Sequence, residues 1–294
     1  MKPLSGRINL GKTLPYLLVI CGPLLLLAYP LLSGKSLFWG TPALQFIPWR
    51  AYAFQQILNG QMPFLNPFVG LNAPLIANYQ VALFYPFTWL LLPFYALGGT
   101  PWLAWAHGLY VLVHLVLAGV GMARLVKQWG ANIAGMITAG LAFSLSAYWV
   151  TRMGFFSIIC SGAWLPWEFY YLNRLMDDIE GHKNARFAFA ALSFCAAMQL
   201  LAGHAQTTWY TFVLLVIWTW VRLFQRRNLI TVLKNFVLAL LPLALGALIA
   251  CVQLLPTAEY LLLSQRAASV DYTKALSYSF WPWHFINFIA PDFF

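Results

Sequence analysis

Few side chains in this sequence are able to carry acid–base chemistry, and each has a definite place. The 294 residues include seven Asp and Glu, five His, and 17 Lys and Arg. Asp177, Asp178 and Glu180 cluster with His182 and Lys183 and read as a solvated connector. Glu168 falls within an apolar run, just after Trp164-Leu165-Pro166-Trp167. An ionisable group at membrane depth is costly, and is a functional candidate by default. Glu259 follows the Pro256 break in Gln253-Leu254-Leu255-Pro256-Thr257-Ala258-Glu259, with Arg266 on the same face if the helix continues. Two readings of that pair stand level: Glu259 as a general base, or a structural Glu259–Arg266 ion pair at the interface. Asp271 and Asp292 complete the set.

The histidines divide by context. His107 and His114 share one face of an apolar run, where a lone histidine ordinarily makes an interhelical hydrogen bond. His204 differs, because it lies in the polar turn Gly203-His204-Ala205-Gln206 between two apolar runs. The polar residues best placed to read a ligand are Gln45, Trp49, Asn78, Gln80 and Gln206. Arg50, Arg152 and Arg266 are the cations suited to a lipid phosphate near a membrane surface. The bland alternative for each cation is snorkelling to the interface. The four cysteines sit inside apolar runs and show no metal-ligand spacing. No phosphate-cradling glycine loop and no nucleophile elbow occurs, so soluble-enzyme motifs are absent.

What must position these residues is a set of membrane helices. Hydrophobic residues make up 62% of the chain and charged ones 8%, with a mean hydropathy of +0.72. That charge density is too low to cover a globular surface, where about 25% is usual. The formal net charge of +10 does not indicate nucleic acid, because the basic residues stand singly at the ends of apolar runs. Apolar runs near bilayer length occur at 14–32, 102–123, 131–150, 155–173, 187–202, 207–224 and 229–257. An eighth stretch, 81–98, is ambiguous.

Charge bias decides it. With the N-terminus cytoplasmic and 81–98 not crossing, twelve of the 17 Lys and Arg fall inside and five outside. If 81–98 crosses, every later loop flips, and six fall inside against eleven outside. The first arrangement is therefore expected. Residues 33–101 become one long extracytoplasmic loop, with 81–98 lying in the interface and broken at Tyr85-Pro86 and Pro93. Within it, Ala51–Leu58 reads as a short amphipathic helix ended by Asn59-Gly60. The abrupt end at Pro291-Asp292-Phe293-Phe294, without a polar tail, suggests the N-terminal portion of a longer protein.

The ordered segments Gln45-Phe46-Ile47-Pro48-Trp49-Arg50, Gly60-Gln61-Met62-Pro63-Phe64-Leu65-Asn66-Pro67, Ala77-Asn78-Tyr79-Gln80 and Phe84-Tyr85-Pro86 resemble the YfhO family of bacterial membrane proteins. Ala163-Trp164-Leu165-Pro166-Trp167, Gly203-His204-Ala205-Gln206, Gln253–Glu259, Ser264-Gln265-Arg266 and Pro291-Asp292-Phe293 extend the resemblance over nearly the whole chain. That family is similar to the GT-C glycosyltransferases, which take a sugar from a polyprenyl-phosphate donor on the extracytoplasmic face. The resemblance implies an all-α polytopic fold of the GT-C kind, about seven transmembrane helices forming one domain over 1–294. It also implies a location in the bacterial cytoplasmic membrane.

One departure stands out. Relatives commonly carry an acidic residue after the glycine of the first loop; here Thr41 occupies that place, and residues 33–101 contain no Asp or Glu. Phe155 likewise stands where a histidine is expected after Arg152. The expected base is therefore Glu259, with His204 steadying the departing phosphate and Arg50, Arg152 and Arg266 binding it. Gln45, Trp49, Asn78, Gln80 and Gln206 are expected to hold the sugar. The partners implied are a polyprenyl-phosphate-linked sugar, membrane lipids and a cell-envelope glycan or lipid acceptor, with no nucleic acid; no residue is assigned as a metal ligand and no cofactor is named. A lipid-linked precursor flippase and a non-catalytic membrane partner are the competing classes.

Overall fold

Apolar stretches have no water to satisfy their backbone groups in a bilayer, so the helix is their default. The computed structural model, which describes residues 10–37, 40–224, 228–264, 272–277, 279–290 and 293, is helical almost throughout. The chain enters through α1 (Leu10–Leu27) and the short α2 (Tyr29–Leu32). A wide π-helical turn, Pro42–Phe46, then runs directly into α3 (Ile47–Leu58). Pro48 in its first turn lets α3 start earlier than the apolar pattern suggests. Asn59 and Gly60 end it as expected, with Gly60 at φ +74°.

The loop continues through a two-residue antiparallel ladder, β1 (Leu65–Asn66) with β2 (Ala73–Pro74), in the register Leu65↔Pro74 and Asn66↔Ala73. A 3-10 turn at Tyr79–Val81 and the one-turn α4 (Pro86–Trp89) follow. The 81–98 stretch is thus no single rod. Beyond a break it becomes the start of α5 (Leu92–Gln128), whose backbone leaves helical geometry at Gly98 and Gly99. Pro86 and Pro93 each open a helical segment because neither has an N–H to lose.

The rest of the described chain comprises α6 (Ile133–Ser144), α7 (Ala147–Thr151), α8 (Phe156–Gly162), α9 (Leu165–Glu180) and α10 (Arg186–Leu201). After these come α11 (Ala205–Leu223), α12 (Leu229–Ile249), α13 (Cys251–Leu262), α14 (Tyr272–Leu276) and a 3-10 segment at Pro282–Phe288. Among the described residues, α5, the Ile133–Thr151 stretch and α12 are long and apolar enough to cross a membrane. Thr13–Leu27 and α10 are apolar but shorter. Four of the expected spans are interrupted: the first at Ala28, the third at Leu145-Ser146, the fourth between α8 and α9, and the last between α12 and α13. The described chain is thus almost wholly helical, with three helices long and apolar enough to cross a membrane.

Helix α5 is central, packing on α1, α3, α6 and α9, while α10 packs on α9 and α12. The α1–α5–α6 contact is built from small residues. A Cβ at Gly119 would press on Val19 and the Gly140 carbonyl, and one at Gly140 on Val19 and the Gly119 carbonyl. Such close approach is how helices gain contact where lipid supplies no hydrophobic drive. Helices α9, α10 and α11 alternate in direction. Arg222 of α11 meets Asp177 of α9 at one end, at 2.8 Å, whereas Leu200 of α10 meets Tyr79 of the first loop at the other.

Candidate functional site

The first loop reaches the bundle through two buried hydrogen-bond chains on α5. Arg50, only 1% exposed, donates from Nη1 to His107 Nε2 at 2.9 Å and from Nε to the Val81 carbonyl at 3.2 Å. His107 Nδ1 donates to the Leu103 carbonyl, 2.7 Å away, which fixes the tautomer. The guanidinium also faces the rings of Tyr110 and Phe156, at 5.1 and 5.7 Å. Two helical turns further along α5 the device is repeated. His114 Nδ1 donates to the Tyr110 carbonyl at 2.6 Å, and its Nε2 accepts from the Tyr85 hydroxyl at 2.8 Å. Tyr85 accepts in turn from Trp164 Nε1, at 2.9 Å.

These contacts correct the placement of Arg50. It is not a cation of the outer surface. The α3 face that buries Ile47, Ala51 and Phe54 against the bundle also buries Arg50, and the polar partners it needs come from His107 of α5 and the Val81 carbonyl of the first loop. His114 bonds Tyr85, the residue before α4, and His107 bonds Arg50 of α3, so both histidines tie α5 to the first loop.

The polar open feature lies elsewhere. A cleft of about 930 Å³ is lined by three segments far apart in sequence. Ala77–Gln80 come from the first loop, Gly203–Gln206 from the turn between α10 and α11, and Thr257, Tyr260, Leu261 and Ser264 from α13 and the turn after it. The junctions are specific. Gln253 Nε2 donates to the Ile76 carbonyl and to Thr257 Oγ1, and Thr257 donates to the Ala77 carbonyl, each at 3.0 Å. Asn78 caps its own turn by accepting from the Gln80 N–H at 3.2 Å. The Tyr79 hydroxyl donates to the Leu200 carbonyl. Gly203, at φ +87°, is required there, because a Cβ would run into the Tyr79 carbonyl oxygen.

His204 is the best-defined polar group of this cleft. It caps α11: Nδ1 accepts the Thr207 N–H at 3.1 Å, with the Thr207 hydroxyl 2.7 Å from the same nitrogen. A histidine that accepts at Nδ1 carries its proton on Nε2, which leaves a donor for the cleft. Partial burial first, and then the charge of Arg152, hold its pKa below the usual imidazole range. Arg152 is itself exposed, with its guanidinium 4.7 Å from the Tyr148 ring centre, and stands near enough to His204 to act on it. Gln206 is exposed and donates to the Tyr210 hydroxyl at 2.7 Å.

The expected binding shelf therefore divides. Asn78, Gln80, His204 and Gln206 are brought together, with Arg152 nearby. Gln45 is exposed on the π-helical turn, and Trp49 packs edge-on to Phe46 at 5.9 Å; neither lines the cleft. Glu259 is exposed on α13 and leaves from a different face than Thr257, Tyr260 and Ser264. Arg266 lies outside the described residues. Among the described residues no Asp or Glu lines the cleft, and no three His, Cys, Asp or Glu gather as a metal cage. Tyr79, Thr257, Tyr260 and Ser264 were not singled out from sequence. The usable signal was the polar recurrence of Gln253, Thr257, Tyr260 and Ser264 at helical spacing.

Glu168 is a separate matter. Its side chain is fully buried, and neither carboxylate oxygen has a hydrogen-bond partner among the described residues. Compared with known proteins, the chain matches no family model, no curated protein and no solved structure.

Proposed function

We propose that this protein binds the polar part of a polyprenyl-phosphate-linked sugar in the cleft between the 77–80 loop, the 203–206 turn and α13, and that it is a glycosyltransferase-like protein of the cell envelope. The observation that carries the reading is the cleft itself. Three segments far apart in the chain, 77–80, 203–206 and 257–264, converge there with neutral donors and acceptors suited to sugar hydroxyls, while Arg152 supplies a cation beside His204. Asn78, Gln80 and Gln206 read the hydroxyls; His204 Nε2–H and Arg152 hold the phosphate. In transfer, an acceptor hydroxyl oxygen bonds to the anomeric carbon as the carbon–oxygen bond to phosphate breaks. The hydroxyl proton passes to a base, and polyprenyl phosphate leaves with the electron pair. Glu259 is the carboxylate nearest in sequence to the cleft lining, and a side-chain or helix-end movement would be needed to bring it to bear.

One observation favours a second reading. A cleft with donors but no carboxylate among its described lining fits a binding partner that presents the lipid-linked sugar without transferring it. Reconstitution with a polyprenyl-phosphate sugar separates the two. Transfer abolished by Glu259→Gln with binding retained supports the enzyme. Binding that needs His204 and Arg152, without transfer in the wild type, supports the presenter. No binding at all removes both.

A further inference from the structure

On elements other than those of the cleft, an apolar crevice of about 440 Å³ opens along α9 and α10, from Trp164 to Phe187, with Leu117 of α5 behind it. Its walls include Leu117, Trp167, Tyr171, Phe187, Ala190 and Phe194. The small side chain of Ala190 gives it depth. Trp167 turns an apolar face to it because its indole N–H is already spent on the Leu117 carbonyl, at 2.9 Å. Gly121 makes room for that ring, since a Cβ there would strike the indole.

The mouth of this crevice is cationic. The Arg174 guanidinium lies 5.2 Å from the centre of the Phe187 ring. Arg124 stands over Tyr170 and Tyr16, at 5.9 and 6.0 Å, and Lys127 over Tyr16 at 5.7 Å. Arg124 follows Gly121, which backs Trp167, by about one helical turn, and the Tyr170 ring it faces packs on Trp167 and Tyr171 of the crevice wall, while Arg174 faces Phe187 of the same wall. Among the described residues, the carboxylate paired with these cations is Asp178, 4.0 Å from Arg174 Nε. Neither Arg124 nor Lys127 has an ion-pair partner among the described residues. The aromatic rings hold the cations in place without neutralising them.

We infer that this crevice is a binding site for an anionic glycerophospholipid, its headgroup phosphate on Arg124, Lys127 and Arg174 and one acyl chain against Trp167, Tyr171 and Phe187. A zwitterionic lipid fills the apolar part equally well but brings a cation of its own to the mouth. Charge complementarity therefore selects the anionic class. The site lies on different elements from the cleft and does not depend on the function proposed for it.

The test is lipid exchange on the whole protein, read by native mass spectrometry and by thermal melting. The purified protein is delipidated and offered phosphatidylcholine alone, or phosphatidylcholine mixed with phosphatidylglycerol. The expected result is selective retention of phosphatidylglycerol and a higher melting temperature in its presence. Each neutralisation among Arg124→Gln, Lys127→Gln and Arg174→Gln is expected to lower the preference about fivefold, on the order of 1 kcal/mol. Ala190→Phe, which fills the crevice and leaves the charges intact, is expected to reduce retention as well. Equal retention of both lipids by the wild type overturns the inference without any variant. So does a preference that survives the triple neutralisation. A preference untouched by Ala190→Phe overturns the acyl-chain half of it.

Discussion

The first loop meets the helical bundle twice, and the two meetings differ in kind. Through Arg50 and Tyr85 it enters a closed network in which each hydrogen bond has a defined partner on α5 or beside it. Through Asn78, Tyr79 and Gln80 it forms one wall of an open cleft, where the Ile76 and Ala77 carbonyls are tied to α13, Asn78 and Tyr79 hold the wall, and Gln80 is exposed at the opening. Both regions use His and Tyr. Saturation decides between them. A buried polar group with every partner in place rigidifies and specifies the fold, whereas one that keeps a free donor at an opening is available to a ligand.

The strongest way to break this comparison is Arg50→Ala. Truncation leaves His107 Nε2 and the Val81 carbonyl without their donor and opens a cavity beneath Phe156. Thermal melting in detergent should show a loss of roughly 3–5 kcal/mol. A loss below about 1 kcal/mol, within the range of an ordinary surface change, would mean that the network does not hold the loop.

Gly203→Ala comes next and acts on the cleft side. The left-handed backbone and the adjacent Tyr79 carbonyl should together cost about 2–3 kcal/mol, and ligand binding should fall with stability. If stability drops while binding of a polyprenyl-phosphate sugar is unchanged, the cleft and the ligand site are different places.

His204 sharpens the contrast with the smallest effect. Replacing it with Ala removes the α11 cap at a cost of about 1 kcal/mol, and Asn should restore the cap without restoring the Nε2–H donor. The ligand should therefore distinguish Asn from His even where stability does not. A pH dependence accompanies it. The folded pKa lies below the ordinary imidazole value of about 6.5, so the unfolded chain takes up the proton first. This contribution to stability is present above that value and is lost as pH falls through it towards the folded pKa. His204→Asn should flatten that part of the stability–pH curve.

Much of the fold was legible in order along the chain. The apolar runs marked the helices, and Pro86, Pro93 and Asn59-Gly60 marked real breaks, because a missing N–H or a left-handed residue acts locally whatever surrounds it. The interruption of the longer runs was not legible, since Leu145-Ser146, Ala163-Trp164 and Ala250 leave hydropathy nearly unchanged. The same divide runs through the site. His204 stood out through its polar turn, and the N-cap it makes is a local property of that turn. Arg50 misled, because its place in an outer loop suggested solvent, and only its helix face and the two histidines of α5 show that it is buried.

What the sequence determined by itself was a helical membrane protein, a long polar-aromatic first loop and the polar motifs that interrupt its apolar runs. Hydropathy and local backbone preferences suffice for these, since they depend on a residue and its near neighbours. What only the tertiary structure decided was which motifs meet. Ala77–Gln80, Gly203–Gln206 and Thr257–Ser264 share a cleft because α10 and α11 run in opposite directions and α13 folds back on the first loop. Gln45, Trp49 and Glu259 carry equally suggestive types and lie off it. Helix phase and packing select among such residues, and both are properties of the assembled bundle rather than of any one segment.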